Sequence, residues 1–163
     1  MSHRDMFVKI EGTKQGVIKG ESVDPKHPDE IDVISWAWGM DASHEALGQR
    51  GGRTSLQELE ITKRVDSATT ALMAALRSNE VIKKLTLSVR KAGGVDALDY
   101  FTITLEKARI THHHIEGGLD ADSSVLGEVF RVGFQKIAVE YQPQTKTGGS
   151  RGAMIFETDV QPD

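Results

Sequence analysis

The feature that most limits what this chain can become is a strict alternation of apolar and polar residues. In "KKLTLSVRK" (83–91), Leu85, Leu87 and Val89 fall on one side and Thr86, Ser88 and Arg90 on the other. "YFTITLE" (100–106) sets Phe101, Ile103 and Leu105 against Thr102, Thr104 and Glu106, and "LQELEITKRV" (56–65) sets Leu59 and Ile61 against Glu58, Glu60 and Thr62. A repeat of two is the repeat of a β-strand with one face on a core and one in water. Strands of that kind pair antiparallel far more often than parallel, because parallel sheets bury both faces.

Two strands change phase part-way along. In "VFRVGFQKIAVEYQ" (129–142) the apolar positions are Phe130, Val132 and Phe134, then Ile137, Val139 and Tyr141. One extra residue near Gln135 accounts for this, as in a β-bulge. The strand holding Phe101 shifts in the same sense before Ala108 and Ile110. Long bulged strands suit a barrel, in which each strand bends round a corner. "IDVISWAWG" (31–39) reads as a strand with Ile34, Trp36 and Trp38 on one face, the tryptophans packing on a core. "MFVKIEG" and "AMIFETD" read as short strands near the two ends.

One helix is expected, over "DSATTALMAALRSN" (66–79). Asp66 or Ser67 can accept from the free N–H groups of its first turn. Ala68, Leu72, Ala75, Leu76 and Asn79 keep helical spacing and make a narrow apolar stripe. Asn79 suits a left-handed terminator. Such a helix would close one mouth of the barrel. Long loops are expected at 20–30 and at 39–55, the second rich in glycine, and the tail from 143 to 163 has a linker-like composition. With 163 residues the chain is expected to form one domain over 1–163, its core at about 6–142.

Composition narrows the function. Cysteine is absent, which removes disulfides, thiolate metal sites and thiol catalysis. A net charge of −4 gives no general affinity for nucleic acid. The N-terminus "MSHRDMFVKIEG" lacks the apolar run of a secretory signal, so the expectation is a protein made in the cytoplasm that does not leave by the general route. No stretch reaches the ~18 apolar residues of a membrane span.

The conspicuous chemistry is "THHH", half of the six histidines of the chain. On an extended strand His112 and His114 share a face and His113 takes the other. Two histidines two apart can ligate zinc, and a metal-binding or metal-dependent barrel built on His112 and His114 is the alternative reading. A catalytic zinc would need a third protein ligand, and none stands at a telling spacing. "EGGLDADSS" lacks the ligand spacing of an EF-hand. "GQRGGRTS" lacks the Gly-Lys-Ser/Thr ending of a phosphate loop. Neither a Gly-x-Ser-x-Gly elbow nor a His-Glu-x-x-His pair is present. No catalytic residue, cofactor or metal is therefore assigned.

The order of motifs carries more than any one of them. Gly20-Glu21-Ser22 comes first, then Ser35, Trp36, Trp38 and Gly39. Thr62, Lys63, Val65, Asp66, Ala68 and Thr69 lead into the helix. Arg90 to Gly93 end a strand, and Phe134, Lys136, Ile137 and Tyr141 mark the late strand. Over roughly residues 6–142 this ordered set resembles the Hcp (haemolysin-coregulated protein) family of bacterial type VI secretion systems. Where that family commonly has Ser-Pro at the helix start, this chain has Thr69-Thr70, and the three histidines match no family motif.

The resemblance implies a mainly β fold: a small barrel of two packed antiparallel sheets with one flanking helix, shared with phage tail-tube proteins. It also implies a non-enzymatic role in homo-hexameric rings that stack into a hollow tube. A sheath propels the tube behind a spike protein, and the lumen can hold and stabilise small effector proteins. The tube would assemble in the cytoplasm and then be secreted, without membrane insertion. Stacked rings need unlike surfaces that fit each other on neighbouring copies. Loop 39–55 is the expected contact arm, with Ala46, Leu47, Gln49, Arg50 and Arg53 as interface candidates.

Overall fold

The computed structural model describes residues 5–43, 54–91, 98–118, 126–143 and 152–160. In chain order the elements are β1 (Met6–Gly12), β2 (Gly16–Ile18), β3 (Ile31–Asp32), β4 (Ser35–Ala37), β5 (Met40–Ala42), β6 (Thr54–Leu56) and β7 (Leu59–Arg64). The helix α1 (Thr69–Arg77) follows, then β8 (Ile82–Arg90), β9 (Asp99–Gly117), β10 (Leu126–Gly133), β11 (Lys136–Tyr141) and β12 (Met154–Asp159). Every ladder between them is antiparallel, as the alternation requires.

The 19-residue β9 belongs to both sheets. Its first half pairs with β8 on one edge and β11 on the other; its second half pairs with β10. From there the hydrogen bonding runs through β10 to β7 and β4, and in the other direction through β8 to β1. Residues 31–37 join the two ends. Ile31 and Asp32 pair with Val8 and Phe7 of β1, and the Val33 N–H donates to the Met6 carbonyl (3.0 Å). The Ile34 N–H then donates to Thr62 (2.8 Å), and Ser35 to Ala37 pair with β7. One short segment thus closes the barrel by handing over from β1 to β7.

That handover corrects the reading of 31–39 as one continuous strand. Ile31 and Val33 enter the core, while Ile34 is 39% exposed. Trp36 and Trp38 do pack against the core, half-buried, and Trp36 stacks on Phe101 at 5.5 Å. A strand kept straight from 31 to 38 could pair with β1 or with β7 but not with both.

The phase shifts are both present, and they coincide. Gly133 faces Arg109 and Lys136 faces Glu106, so Phe134 and Gln135 lie across from Lys107 and Ala108. Lys107 takes a left-handed φ of 50°, and buried positions switch from Ile103 and Leu105 to Ala108 and Ile110. The extra turn falls at the same level on both strands of the hairpin, where it passes from one sheet to the other. Val8, Ile10, Leu85, Leu87, Leu59, Ile61, Phe130 and Val132 fill the space between the sheets.

The helix is shorter than expected at both ends. Ala68, Leu72 and Ala75 are buried and Leu76 is half-buried, and the helix packs on β9. Asp66 accepts the Ala68 N–H at 2.9 Å, but Ser67 does not cap: its N–H and its hydroxyl donate to Glu21 at 2.6 and 3.0 Å, tying loop 20–30 to the helix start. Asn79 has the expected left-handed backbone, φ 55°. Next to it the buried Glu80 accepts the N–H groups of Lys14 (2.8 Å) and Gln15 (2.9 Å) and the Gln15 side chain (3.0 Å). The β1–β2 turn is fastened to the helix end in this way. A Cβ on Gly12 would lie 2.3 Å from the Glu80 carboxylate and would push that side chain off its hydrogen bonds to the turn.

Lys107 carries a conformation that costs a residue with a Cβ roughly 1–2 kcal/mol. Lys107→Gly should therefore stabilise the fold by about 0.5–1 kcal/mol, and Lys107→Val should destabilise it by at least as much. Urea denaturation followed by circular dichroism checks both signs.

Candidate functional site

The three histidines part company in the structure. His114 is exposed and only loosely near Glu116 (3.9 Å). His112 is half-buried opposite Arg131. His113 points inward, and its Nε2 lies 2.8 Å from Glu128. The inward turn comes from a second bulge: Arg131 pairs with His112 but Val132 pairs with Ile110, which leaves Thr111 as the extra residue. Without it the even-numbered histidines would have faced the core. Among the described residues no group of three or more histidines and carboxylates is placed to hold a metal ion.

Glu128 is the hub of a buried polar cluster. Lys63, fully buried, places its Nζ 2.5 Å from Glu128 and 2.8 Å from Asp66, and also donates to the Thr69 hydroxyl (3.3 Å). The Thr69 hydroxyl donates to Glu128 at 2.6 Å, and the Asp66 N–H donates to that hydroxyl at 3.0 Å. One cluster therefore joins β7, the helix entry, β10 and β9. It fixes where the first turn of the helix sits on the end of the barrel. Lys63 extends the inward series Leu59–Ile61, and Glu128 the inward series Phe130–Val132. Two opposite charges on core-facing positions were the available sequence signal.

A second cluster covers the outside of β1. Phe7 is buried yet lies on the outward face with Lys9 and Glu11, because the ring of His27 stacks on it at 4.4 Å and the Arg90 guanidinium sits 5.2 Å above its centre. His27 has Glu30 at 3.0 Å from Nδ1 and Asp99 at 3.0 Å from Nε2, so both ring nitrogens face a carboxylate. Arg90 pairs with Asp24 at 2.5 Å and with Asp5 at 3.4 Å. The hydrogen bond from Arg90 lowers the Asp24 carboxyl from 3.8 to about 2, against the effect of burial. Loop 20–30, expected as a long loop, is thus a strap bolted to the sheet.

Loop 39–55 begins and ends as a ladder. β5 and β6 pair with each other in a sheet of their own. Its base is clamped where the Trp38 indole donates to the Gln57 carbonyl (2.8 Å) and Gln57 donates to Asp41 (3.0 Å). Ala46, Leu47, Gln49, Arg50 and Arg53 lie outside the described residues.

The remaining feature is a broad outward face. Across β1, β8, β9, β11 and β12 one row reads Glu11, Lys84, Glu106, Lys136, Asp159, with signs alternating from strand to strand. The next row reads Lys9, Thr86, Thr104, Ala138, Glu157. Lys136 and Glu106 approach to 3.7 Å. The clusters hold charge against charge, and the outward face is left as a wide hydrophilic wall.

This mainly β fold with one helix matches solved Hcp structures. The family model "Type VI secretion system effector, Hcp" matches residues 7–141. Protein hcp1 of Pseudomonas aeruginosa is 36% identical over 154 residues, covering 93% of this chain and 91% of that protein. A solved type six secretion system protein superposes with a TM-score of 0.79 at 23% identity, over 95% of this chain and 96% of that one. A type VI secretion system effector from Yersinia pestis gives 0.74 at 28% identity, over 96% and 100%. The chain belongs to the Hcp family, a secreted family of structural proteins, and is not an enzyme.

Two outcomes follow from the clusters. Glu128→Gln removes one of the two carboxylates on the buried Lys63, leaving Asp66, and should destabilise by about 1.5–3 kcal/mol, whereas His114→Ala should change stability by less than about 0.5 kcal/mol; chemical denaturation separates them. The folded pKa of Asp24 lies below its ordinary value, so its contribution is complete above about pH 4 and is lost as pH falls towards 2. The stability gap between wild type and Asp24→Asn should therefore be constant near neutrality and close between pH 4 and pH 2, as read from thermal melts across that range.

Proposed function

We propose that this chain is the tube subunit of a type VI secretion system: hexameric rings, each copy one domain, stack into a hollow conduit. The observation that carries the reading is the outward wall of β1, β8, β9, β11 and β12. Its rows of threonine, alanine and sign-alternating charge make a wetted surface with no large apolar patch along its centre. A lumen lined this way lets a folded cargo pass without adhering to it, and nearby charges of both signs avoid a field that would trap acidic or basic proteins. Family membership supports the same reading.

The partners on this reading are further copies of the chain, small effector proteins in the lumen, and the spike and sheath proteins at its end and exterior. The tube assembles in the cytoplasm and is then secreted. No helix among the described residues is long and apolar enough to cross a membrane. Between rings, the β5–β6 ladder is the natural support for the contact arm, since its clamped base leaves the hairpin as a separate unit.

Sedimentation and negative-stain microscopy of the purified chain should give a ring of six times 17.9 kDa that forms tubes on concentration. A strictly monomeric particle at high concentration would overturn the proposal. Replacing Leu47 and Arg50 together by Ala should weaken assembly while the circular dichroism spectrum stays unchanged; unaltered assembly would remove the arm from the account.

A further inference from the structure

His113 is held in the buried cluster, and the bulge at Thr111 leaves the two histidines that flank it on the opposite face of β9. His112, His114 and Glu116 are alternate residues of that strand and share the outward side. The backbone beneath them is fixed. Every residue from His112 to Gly117 has a partner on β10, between Arg131 and Leu126.

The fold leaves both outward rings free. His27 and His113 sit between or against carboxylates, but among the described residues no hydrogen bond or ion pair engages His112. Among the same residues His114 has only Glu116, 3.9 Å from its Nε2, and the two side chains are 56% and 60% exposed. The neighbours do not oppose a cation. Arg131 stands across the ladder from His112, yet its Nε is paired with Glu60 at 3.0 Å, which draws the guanidinium towards β7 and matches its charge. Val129 and then Thr62 stand across from His114, and neither is charged. Glu116 therefore sets the local sign.

Positions two apart on one strand face are separated by ~6.6 Å along the backbone. An ion bound at ~2.0–2.1 Å needs its two ring nitrogens ~3 Å apart. Inward rotation of two outward-facing imidazoles closes that gap with no movement of the strand. As placed, no three histidines or carboxylates among the described residues converge on one point, so the chain supplies two nitrogens and a nearby negative charge. The other positions of the ion stay open to water. Imidazole suits copper, nickel and zinc, and for a given set of donors Cu²⁺ binds more tightly than Ni²⁺ or Zn²⁺.

We propose that His112 and His114 form a surface chelate for a divalent transition ion, Cu²⁺ ahead of Ni²⁺ and Zn²⁺, with Glu116 supplying a compensating charge. Both ligands come from one strand of one copy, so the site does not depend on the ring reading above.

Calorimetric titration of the tag-free full chain with Cu²⁺ tests it. His3 offers copper a separate imidazole near the start of the chain, so the parent for the titrations is His3→Asn. That parent should take one Cu²⁺ per chain, and Ni²⁺ and Zn²⁺ more weakly. Adding His112→Asn or His114→Asn should lower the affinity by about tenfold or more, the scale on which even indirect supports of a metal site act. Glu116→Gln should lower it to a smaller extent, and His44→Asn should leave it unchanged. All these side chains bar His44 belong to a paired strand and face outward, so circular dichroism should be unaltered. Electron paramagnetic resonance gives a count that needs no variant to fold: two nitrogen donors on the copper of the parent. If the parent spectrum shows no two-nitrogen site, the proposal is overturned. It is overturned equally if copper binds as well when both histidines are replaced, or if His44→Asn abolishes binding.

Discussion

The structure depends on one requirement: the backbone hydrogen bonding of a small antiparallel sheet has to return to its start. Strand edges left open invite aggregation, and a barrel removes them only if its two ends meet. Here the ends are β1 and β7, and the seven residues 31–37 satisfy both. Three properties of the chain follow from that closure. β9 has to be long enough to serve two sheets. It has to bend at the same level as the strand beside it. The helix is then left to cover an end of the barrel, with no part in forming its wall.

Capping a barrel end with a helix raises a second problem, because the helix entry brings backbone donors and carboxylates towards an apolar interior. The solution is the cluster of Lys63, Asp66, Thr69, His113 and Glu128, in which the buried ammonium meets two carboxylates and a hydroxyl. Such a cluster contributes little net stability relative to an apolar replacement, since removing the charges from water costs nearly what their attraction returns. What it supplies is position. Every member needs the others, and together they fix one register between helix and barrel. Glu80 does the same at the other end of the helix. Burial alone would raise its pKa, but hydrogen bonds from Gln15 and Lys14 outweigh that and hold it lowered.

Much of this was legible in the residue pattern, and what was not failed for identifiable reasons. Alternation gave the strands, and the phase shifts near Gln135 and before Ala108 marked the corner. A single change of phase is visible because apolar residues stand on both sides of it. The bulge at Thr111 was not visible, because polar residues follow it, and so the pattern could not say which histidine turns inward. The stretch 31–39 misled for a related reason: Ile31, Val33, Ile34 and the tryptophans satisfy two registers, and only the distant partners β1 and β7 decide between them. His27, Arg90 and Glu80 could not be found locally at all. Their partners lie on other elements, and a lone polar residue gives no sign of whom it will meet.

The contrast between the inside and the outside of the wall sheet bears on function. Inward rows such as Ile10, Leu85, Leu105 and Ile137 are closely packed and specify the fold. Apart from Phe7, which His27 and Arg90 cover, the outward rows have no packing to perform, so their composition is set by what they face. A surface meant only for bulk solvent tolerates almost any mixture of polar residues. This one keeps small hydroxyls in the middle and places its charge of either sign in alternation along the Glu11–Asp159 row. Its two ends, by contrast, are unlike: beside β2 stand Lys9, Glu11 and Lys19, while β12 exposes Met154, Ile155 and Phe156 next to Glu157 and Asp159. On the tube reading proposed above, the middle would face what passes through the conduit, and charges of both signs close together would keep it from holding acidic or basic proteins.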